Sequence, residues 1–164
     1  MDNTSKVTLS QEVTNQIDKW LTKFPVDKKI SCLIPALTIV QKDNSGYLTN
    51  DLIIAVAKYL GVPDIAAFEV ATFYSMFEHK PKGRHKICIC TNVSCMLKKV
   101  DSIVDHLKDK LQINFGETTT DGRFSLKEVE CLGACGGAPA IQIGDDYYED
   151  VTVEKIDAIL EKLE

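Results

Sequence analysis

The chain has 164 residues, enough for one domain of ordinary size or two small ones. Apolar residues make up 45% and charged residues 26%, the profile of a soluble globular protein with a real core. The net charge of −5 is a deficit of Lys and Arg, which argues against non-specific binding to nucleic-acid phosphates. No apolar stretch approaches the roughly 18 residues needed to span a bilayer. The opening Met1-Asp2-Asn3-Thr4-Ser5-Lys6 has neither a signal-peptide nor a transit-peptide layout. These features predict a cytosolic protein without direct membrane insertion. In that compartment structural disulfides are rare, and clustered cysteines bind metal or do redox chemistry.

The first eighty residues read as helical. Val13, Ile17, Trp20, Leu21 and Phe24 are spaced as one helix face, with Ser10 as cap and Pro25 as stop. A second stripe holds Ile30, Leu33, Ile34, Leu37 and Val40, and Pro35 within it implies a kink or a later helix start. Gly46-Tyr47-Leu48-Thr49 reads as a turn. A third helix starts near Asn50, with Leu52, Ile53, Val56, Ala57 and Leu60 inward and Gly61 as its stop. Pro63-Asp64 starts a fourth, carrying Ile65, Phe68, Ala71, Phe73 and Met76. Four helices joined by short loops make a small bundle over residues 1–80.

The polar break from His79 to Arg84, with Pro81 and Gly83, is the expected domain boundary. Beyond it the period changes. Lys86 to Cys90 alternates as a strand, and Leu97, Val100, Val104, Leu107 and Leu111 mark an amphipathic helix. Phe124-Ser125-Leu126 opens a second strand. Ile141-Gln142-Ile143, a Gly144-Asp145-Asp146 turn and Tyr147-Tyr148 form a hairpin. Thr152 caps a last helix with Val153, Ile156, Leu160 and Leu163 inward. The order strand, helix, strand, hairpin, helix over residues 81–164 predicts a small α/β layer, and the whole chain an α+β fold.

Four of the six cysteines form two tight pairs, Cys90-x4-Cys95 and Cys131-x3-Cys135, with about 35 residues between them. Each pair can present two thiolates to one metal centre, and sulfur donors select zinc or iron–sulfur clusters. Cys90 ends a strand, Cys95 follows on a loop or first helical turn, and Cys131 and Cys135 lie on a loop between later strands. Loops at one end of a sheet can bring the four together. Structural zinc usually takes C-x2-C pairs, so x4 with x3 is unusual for it. A dithiol redox motif would need C-x-x-C, which is absent, and a Rieske centre would need paired histidines. An iron–sulfur cluster tolerates the wider spacing. Gly133, Gly136 and Gly137 suit close backbone approach, where N–H groups reach cluster sulfurs.

Four runs now carry a family resemblance: Gly83-Arg84-His85, Cys90-Thr91-Asn92-x-x-Cys95, Gly116-Glu117-Thr118-Thr119-x-Asp121-Gly122, and Cys131-Leu132-Gly133-Ala134-Cys135-x-x-Ala138-Pro139. They closely resemble the thioredoxin-like [2Fe–2S] subunit of respiratory complex I, the NADH:quinone oxidoreductase. Val70 to Met76 and Pro35-Ala36-Leu37 look like that family's helical N-terminal part, so the resemblance runs from about residue 12 to the end. It implies a thioredoxin-like α/β domain in which Cys90, Cys95, Cys131 and Cys135 ligate one [2Fe–2S] cluster. It implies a larger partner subunit that binds NADH, FMN and a [4Fe–4S] cluster, together with other peripheral-arm subunits of the complex. It also implies a site at the inner face of a bacterial cell membrane, reached through that complex. The implied role is one-electron exchange with the partner's flavin. The chain has no dinucleotide fingerprint and no acid–base constellation of its own. The equivalent small subunit of an NAD-linked hydrogenase or formate dehydrogenase uses the same module. A zinc-stabilised interaction protein is the reading from a different class. The family often has glycine where this chain has Lys99, which bears on local helix packing and not on ligation.

The remaining candidates have plain readings. Cys88 and Cys32 read as buried structural residues. His79, His85 and His106 are scattered, with His85 nearest the cysteines in sequence. In thioredoxin-like folds a cis-proline often stands where Pro139 does, so cis and trans are both open readings of the Ala138–Pro139 bond. The third and fourth helices superficially resemble a helix-turn-helix, but Asp64-Ile65-Ala66-Ala67-Phe68-Glu69 is too acidic and apolar to read DNA. That helix and the aromatic run from Phe73 to Phe77 could pack the bundle or face a partner.

Overall fold

The computed structural model describes residues 7–163. The opening segment read above for targeting signals lies outside the described residues. The chain divides after Pro81 into two compact units, each with its own apolar core.

The first unit is helical: α1 (Gln11–Leu21), α2 (Leu33–Asp43), α3 (Asn50–Leu60) and α4 (Asp64–Phe73). Local signals set three of the ends. Ser10 Oγ accepts the Val13 N–H, Thr49 Oγ1 accepts the Leu52 N–H, and Gly61 closes α3 at φ +69. The Pro35 ambiguity resolves as a late start. A 3-10 turn spans Lys29–Cys32, and α2 begins at Leu33, which puts Pro35 in a first turn whose N–H groups have no helical partner anyway. Ile30, ahead of that start, is left exposed. The core gathers Val13, Ile17, Leu33, Leu37, Ile53, Val56 and Leu60.

Helix α4 departs from the expected stripe. It is closed to the core by Ala67 and Ala71, while Ile65 and Phe73 face outward and Met76 falls beyond its end. The small side chains allow close helix approach, so the larger ones are turned to the other side. The segment after α4 is tied back by Gln41, whose amide donates to the Met76 carbonyl and accepts from the Glu78 N–H.

The second unit holds β1 (His85–Cys90), α5 (Val93–Leu97), α6 (Val100–Leu111), β2 (Phe124–Val129), β3 (Ile141–Ile143), β4 (Asp146–Tyr148) and α7 (Val153–Lys162). The sheet order is β2-β1-β3-β4, with β1 parallel to β2 and antiparallel to β3. The parallel pair needs the long crossover that α6 supplies. Ile87, Ile89 and Leu126 of the sheet share one core with Ile103, Leu107, Ile156 and Leu160 of the helices.

One helix was expected after β1, and there are two. Lys98 ends α5, and Lys99 takes φ +62, so α6 starts afresh at Val100. Leu97, expected inward on a single helix, belongs to α5 and is 73% exposed. The hairpin and the Thr152 cap are as expected: Ile141 pairs with Tyr148, and Thr152 Oγ1 accepts the Lys155 N–H. The Ala138–Pro139 bond, which the sequence leaves open, is cis. Among the described residues no helix is long and apolar enough to cross a membrane.

Candidate metal centre

Sheet topology explains how distant cysteines meet. Cys90 closes β1 in register with Val129, which closes β2. Because the two strands run parallel, the segments that follow them leave from the same end of the sheet. β3 runs antiparallel and starts there, its Ile141 beside Ile89. The residues before β3 therefore also lie at that end, and the Cys90 N–H donates to the Ala140 carbonyl at 3.3 Å.

The first pair is set by a short capped helix. The Thr91 N–H donates to the Val129 carbonyl, and its hydroxyl donates to Glu128 Oε1 at 2.8 Å, which pins the exit from β1. Asn92 Oδ1 accepts the Val93 N–H at 2.7 Å and starts α5. Cys95 then lies on the third residue of α5, turned into the core at 2% exposure, and Cys90 is buried at 3%. The two thiols are within hydrogen-bonding reach of one another. Cys90 Sγ also donates to the Glu130 carbonyl at 3.8 Å.

The second pair sits on the surface. Cys131 and Cys135 are exposed, and Cys135 opens a 3-10 turn over Cys135–Gly137. Cys131 Sγ accepts the Gly133 N–H at 3.3 Å. Burial pushes the Cys95 thiol above its ordinary value; the Ala140 N–H opposes this by favouring thiolate, while the Cys90 and Cys135 sulfurs add to the rise. The structure thus brings Cys90 and Cys135 each within electrostatic reach of Cys95. Cys131 follows β2 two residues after Val129, at the same end, and has a local backbone donor.

Cys88 is buried on β1, two residues from Cys90, and Cys32 is fully buried in the other unit. The histidines lie apart from the thiols. His79 Nε2 meets the Ala71 carbonyl, the His85 ring leans on Phe124, and His106 Nε2 meets Asp157 Oδ1 at 2.7 Å. Ala140 is one site residue that sequence could not reveal: its contribution is a backbone N–H, and any side chain would bring one.

The donor set fits a binuclear iron–sulfur group. Among the described residues no three His, Cys, Asp or Glu side chains are grouped as ligands of a single ion would be. A [2Fe–2S] cluster needs only two protein sulfurs on each iron; here the end of β1 with α5 brings one pair and the segment between β2 and β3 brings the other. Backbone N–H groups already point at Cys131 and Cys95, as they do at sulfurs that carry cluster charge.

A sheet of this topology with paired thiols at its strand ends defines a class: small thioredoxin-type domains that present cysteine sulfur to a metal. Within that class, the thioredoxin-like [2Fe-2S] ferredoxin family matches residues 17–164, and the chain belongs to it. Among relatives, a subunit of the NADH-quinone oxidoreductase of Rickettsia bellii is 48% identical over 143 residues, covering 87% of this chain and 86% of that protein. The corresponding NADH-quinone oxidoreductase subunit of Rhizobium meliloti is 43% identical over 89% of this chain and 85% of its own length. Among solved structures, an NAD+-reducing [NiFe]-hydrogenase in the H2-reduced state superposes with a TM-score of 0.66 at 24% identity. That match covers 77% of this chain but 22% of the hydrogenase chain, and it shows the fold alone.

Proposed function

We propose that this chain is the electron-relay subunit of an NADH-quinone oxidoreductase, with Cys90, Cys95, Cys131 and Cys135 holding one [2Fe–2S] cluster. The observation that carries the reading is the delivery of both cysteine pairs to one end of a parallel strand pair. The NADH-quinone oxidoreductase relatives, at 42–48% identity over most of the chain, supply the kind of complex.

Bound there, the cluster supplies one-electron redox chemistry. The chain's own residues do the rest. Buried Cys90 and Cys95 shut water out of the inner half of the site, and exposed Cys131 and Cys135 form the face through which an electron passes. The Gly133 and Ala140 N–H groups stabilise negative charge on sulfur and so favour the reduced state. No acid–base group is needed, since hydride chemistry at NADH belongs to the FMN of the larger partner subunit. The units on either side of Pro81 take the roles of a helical N-terminal domain and a thioredoxin-like [2Fe–2S] domain. Membrane association comes through the complex. The relatives favour the quinone reductase over a hydrogenase module, because the hydrogenase likeness is one of fold.

Anaerobic purification tests this. The expected protein is red-brown, holds two irons and two acid-labile sulfides, becomes paramagnetic on one-electron reduction, and copurifies with a flavin-containing subunit. Cys131→Ser loses the cluster or shifts its spectrum, whereas Cys32→Ser leaves both intact. A colourless protein with one zinc, or equal loss in the two variants, refutes the assignment.

A further inference from the structure

The backbone after Cys135 is held from an unexpected quarter. Between β4 and α7 lie Glu149, Asp150, Val151 and the capping Thr152. The Asp150 N–H donates to the Gly137 carbonyl at 2.6 Å, and the Val151 N–H donates to the Pro139 carbonyl at 3.1 Å. Two successive donors meet alternate carbonyls of the loop that carries Cys135. Asp150 reaches this arrangement at φ +46, in the left-handed region that L residues avoid.

Side chains complete the clasp. The Glu149 side chain lies against Gly137, so a methyl group there would crowd its Oε2 and stand 2.5 Å from its Cβ and 2.7 Å from its Cδ. Gly137 is a glycine because Glu149 occupies the space a Cβ would need. Lys155 Nζ donates to the Glu149 carbonyl, and Thr152 caps α7 directly behind, so the segment is anchored in turn. On its other flank the same loop meets β1 through the Ala140 carbonyl.

Resting on the cluster reading above, we infer that Glu149–Val151 is a positioning strap for Cys135. Cys135 is exposed, so core packing does not place its sulfur. Its place is set by the backbone it rides on, and the strap fixes that backbone within two residues of it. The strap therefore determines how closely the Cys135 sulfur meets the site of buried Cys95 and how firmly the outer half of the cluster is kept. Backing of this kind is worth about 10–100-fold in metal retention at other sites.

The experiment uses the full chain, reconstituted anaerobically with iron and sulfide. It follows iron release to a chelator well below the unfolding temperature, together with the EPR spectrum of the reduced protein. Gly137→Ala pushes against Glu149 Cβ and is expected to release iron about ten-fold faster or more, with altered EPR g-values. Gly137→Ala/Glu149→Gly removes the obstacle and returns both readouts toward wild type, whereas Gly137→Ala/Glu149→Ala keeps the Cβ and does not. Leu107→Ala, in the core of the same unit, lowers the unfolding temperature and leaves both readouts unchanged. Lys155→Met alters an exposed side chain and so folds; it speeds iron release about three-fold, the scale of one lost hydrogen bond. Wild-type release in Gly137→Ala or Lys155→Met, failure of the Glu149→Gly rescue, or an equal effect from Leu107→Ala overturns the strap alone. A wild-type chain that takes up no iron overturns the cluster reading and the strap with it.

Discussion

Lys99 adopts φ +62 between α5 and α6, a conformation in which the Cβ of any L residue crowds the following carbonyl oxygen. The turn is useful: it ends α5 just after Cys95 and lets the Lys99 carbonyl accept the Ser102 N–H and hydroxyl at the start of α6. The left-handed backbone costs about 1–2 kcal/mol for a residue with a Cβ. Glycine avoids that cost but adds about 0.4–1 kcal/mol of unfolded-chain entropy. The first effect is the larger. Lys99→Gly is therefore expected to stabilise the chain by a few tenths to about 1 kcal/mol. Urea unfolding checks this: the midpoint rises with unchanged slope, and a lower midpoint refutes the assignment of strain.

At the scale of elements, what could be read from the sequence was what neighbouring residues decide. The caps at Ser10 and Thr152 and the stop at Gly61 depend on groups within four residues of each other, and each stands where expected; the hairpin turn expected over Gly144-Asp145-Asp146 is one residue shorter, with Asp146 already in β4. The split between α5 and α6 was hidden because the apolar spacing runs through it and only one backbone angle interrupts it. The strap was hidden for another reason: its partners lie about a dozen residues apart and half of them are backbone atoms. The cysteine pairs were legible as donors, and sheet topology supplied their meeting. A contact between two helices carries the next prediction. Asp157 on α7 accepts from His106 and Lys110 of α6, each at 2.7 Å, and these hydrogen bonds hold its carboxyl below the ordinary carboxylate value. Glu154 is the other acidic group near this pair. A depressed carboxylate adds stability that is present above its unfolded pKa, near 4, and is lost as pH falls through the folded value. Asp157→Asn is thus expected to lower the unfolding temperature near neutrality, by an amount that shrinks on acidification. A difference that stays constant down to about pH 3 would refute the linkage.

For the whole molecule the governing fact is that two cores share one chain. Val13, Ile17, Leu37, Ile53 and Leu60 form one, and Ile87, Ile89, Leu107, Leu126 and Ile156 form the other, with the division after Pro81. All four proposed ligands lie in the second unit, as do the backbone donors to their sulfurs and the strap. The proposed ligands and the backbone that holds them therefore belong to the second unit, and the helical unit supplies none of them. A core truncation separates the two. Leu37 is fully buried, and Leu37→Ala removes apolar volume worth about 2–5 kcal/mol. If the units are energetically distinct, calorimetry of this variant shows an earlier transition of the helical unit alone. Iron release and the EPR spectrum of the reduced protein stay at wild-type values below that transition. Binding of the proposed flavin-containing partner tests what the helical unit is for: weakened copurification with Leu37→Ala, at unchanged iron content, assigns it to assembly. Faster iron release from Leu37→Ala would instead mean that the first core helps hold the cluster, and that the two units act as one.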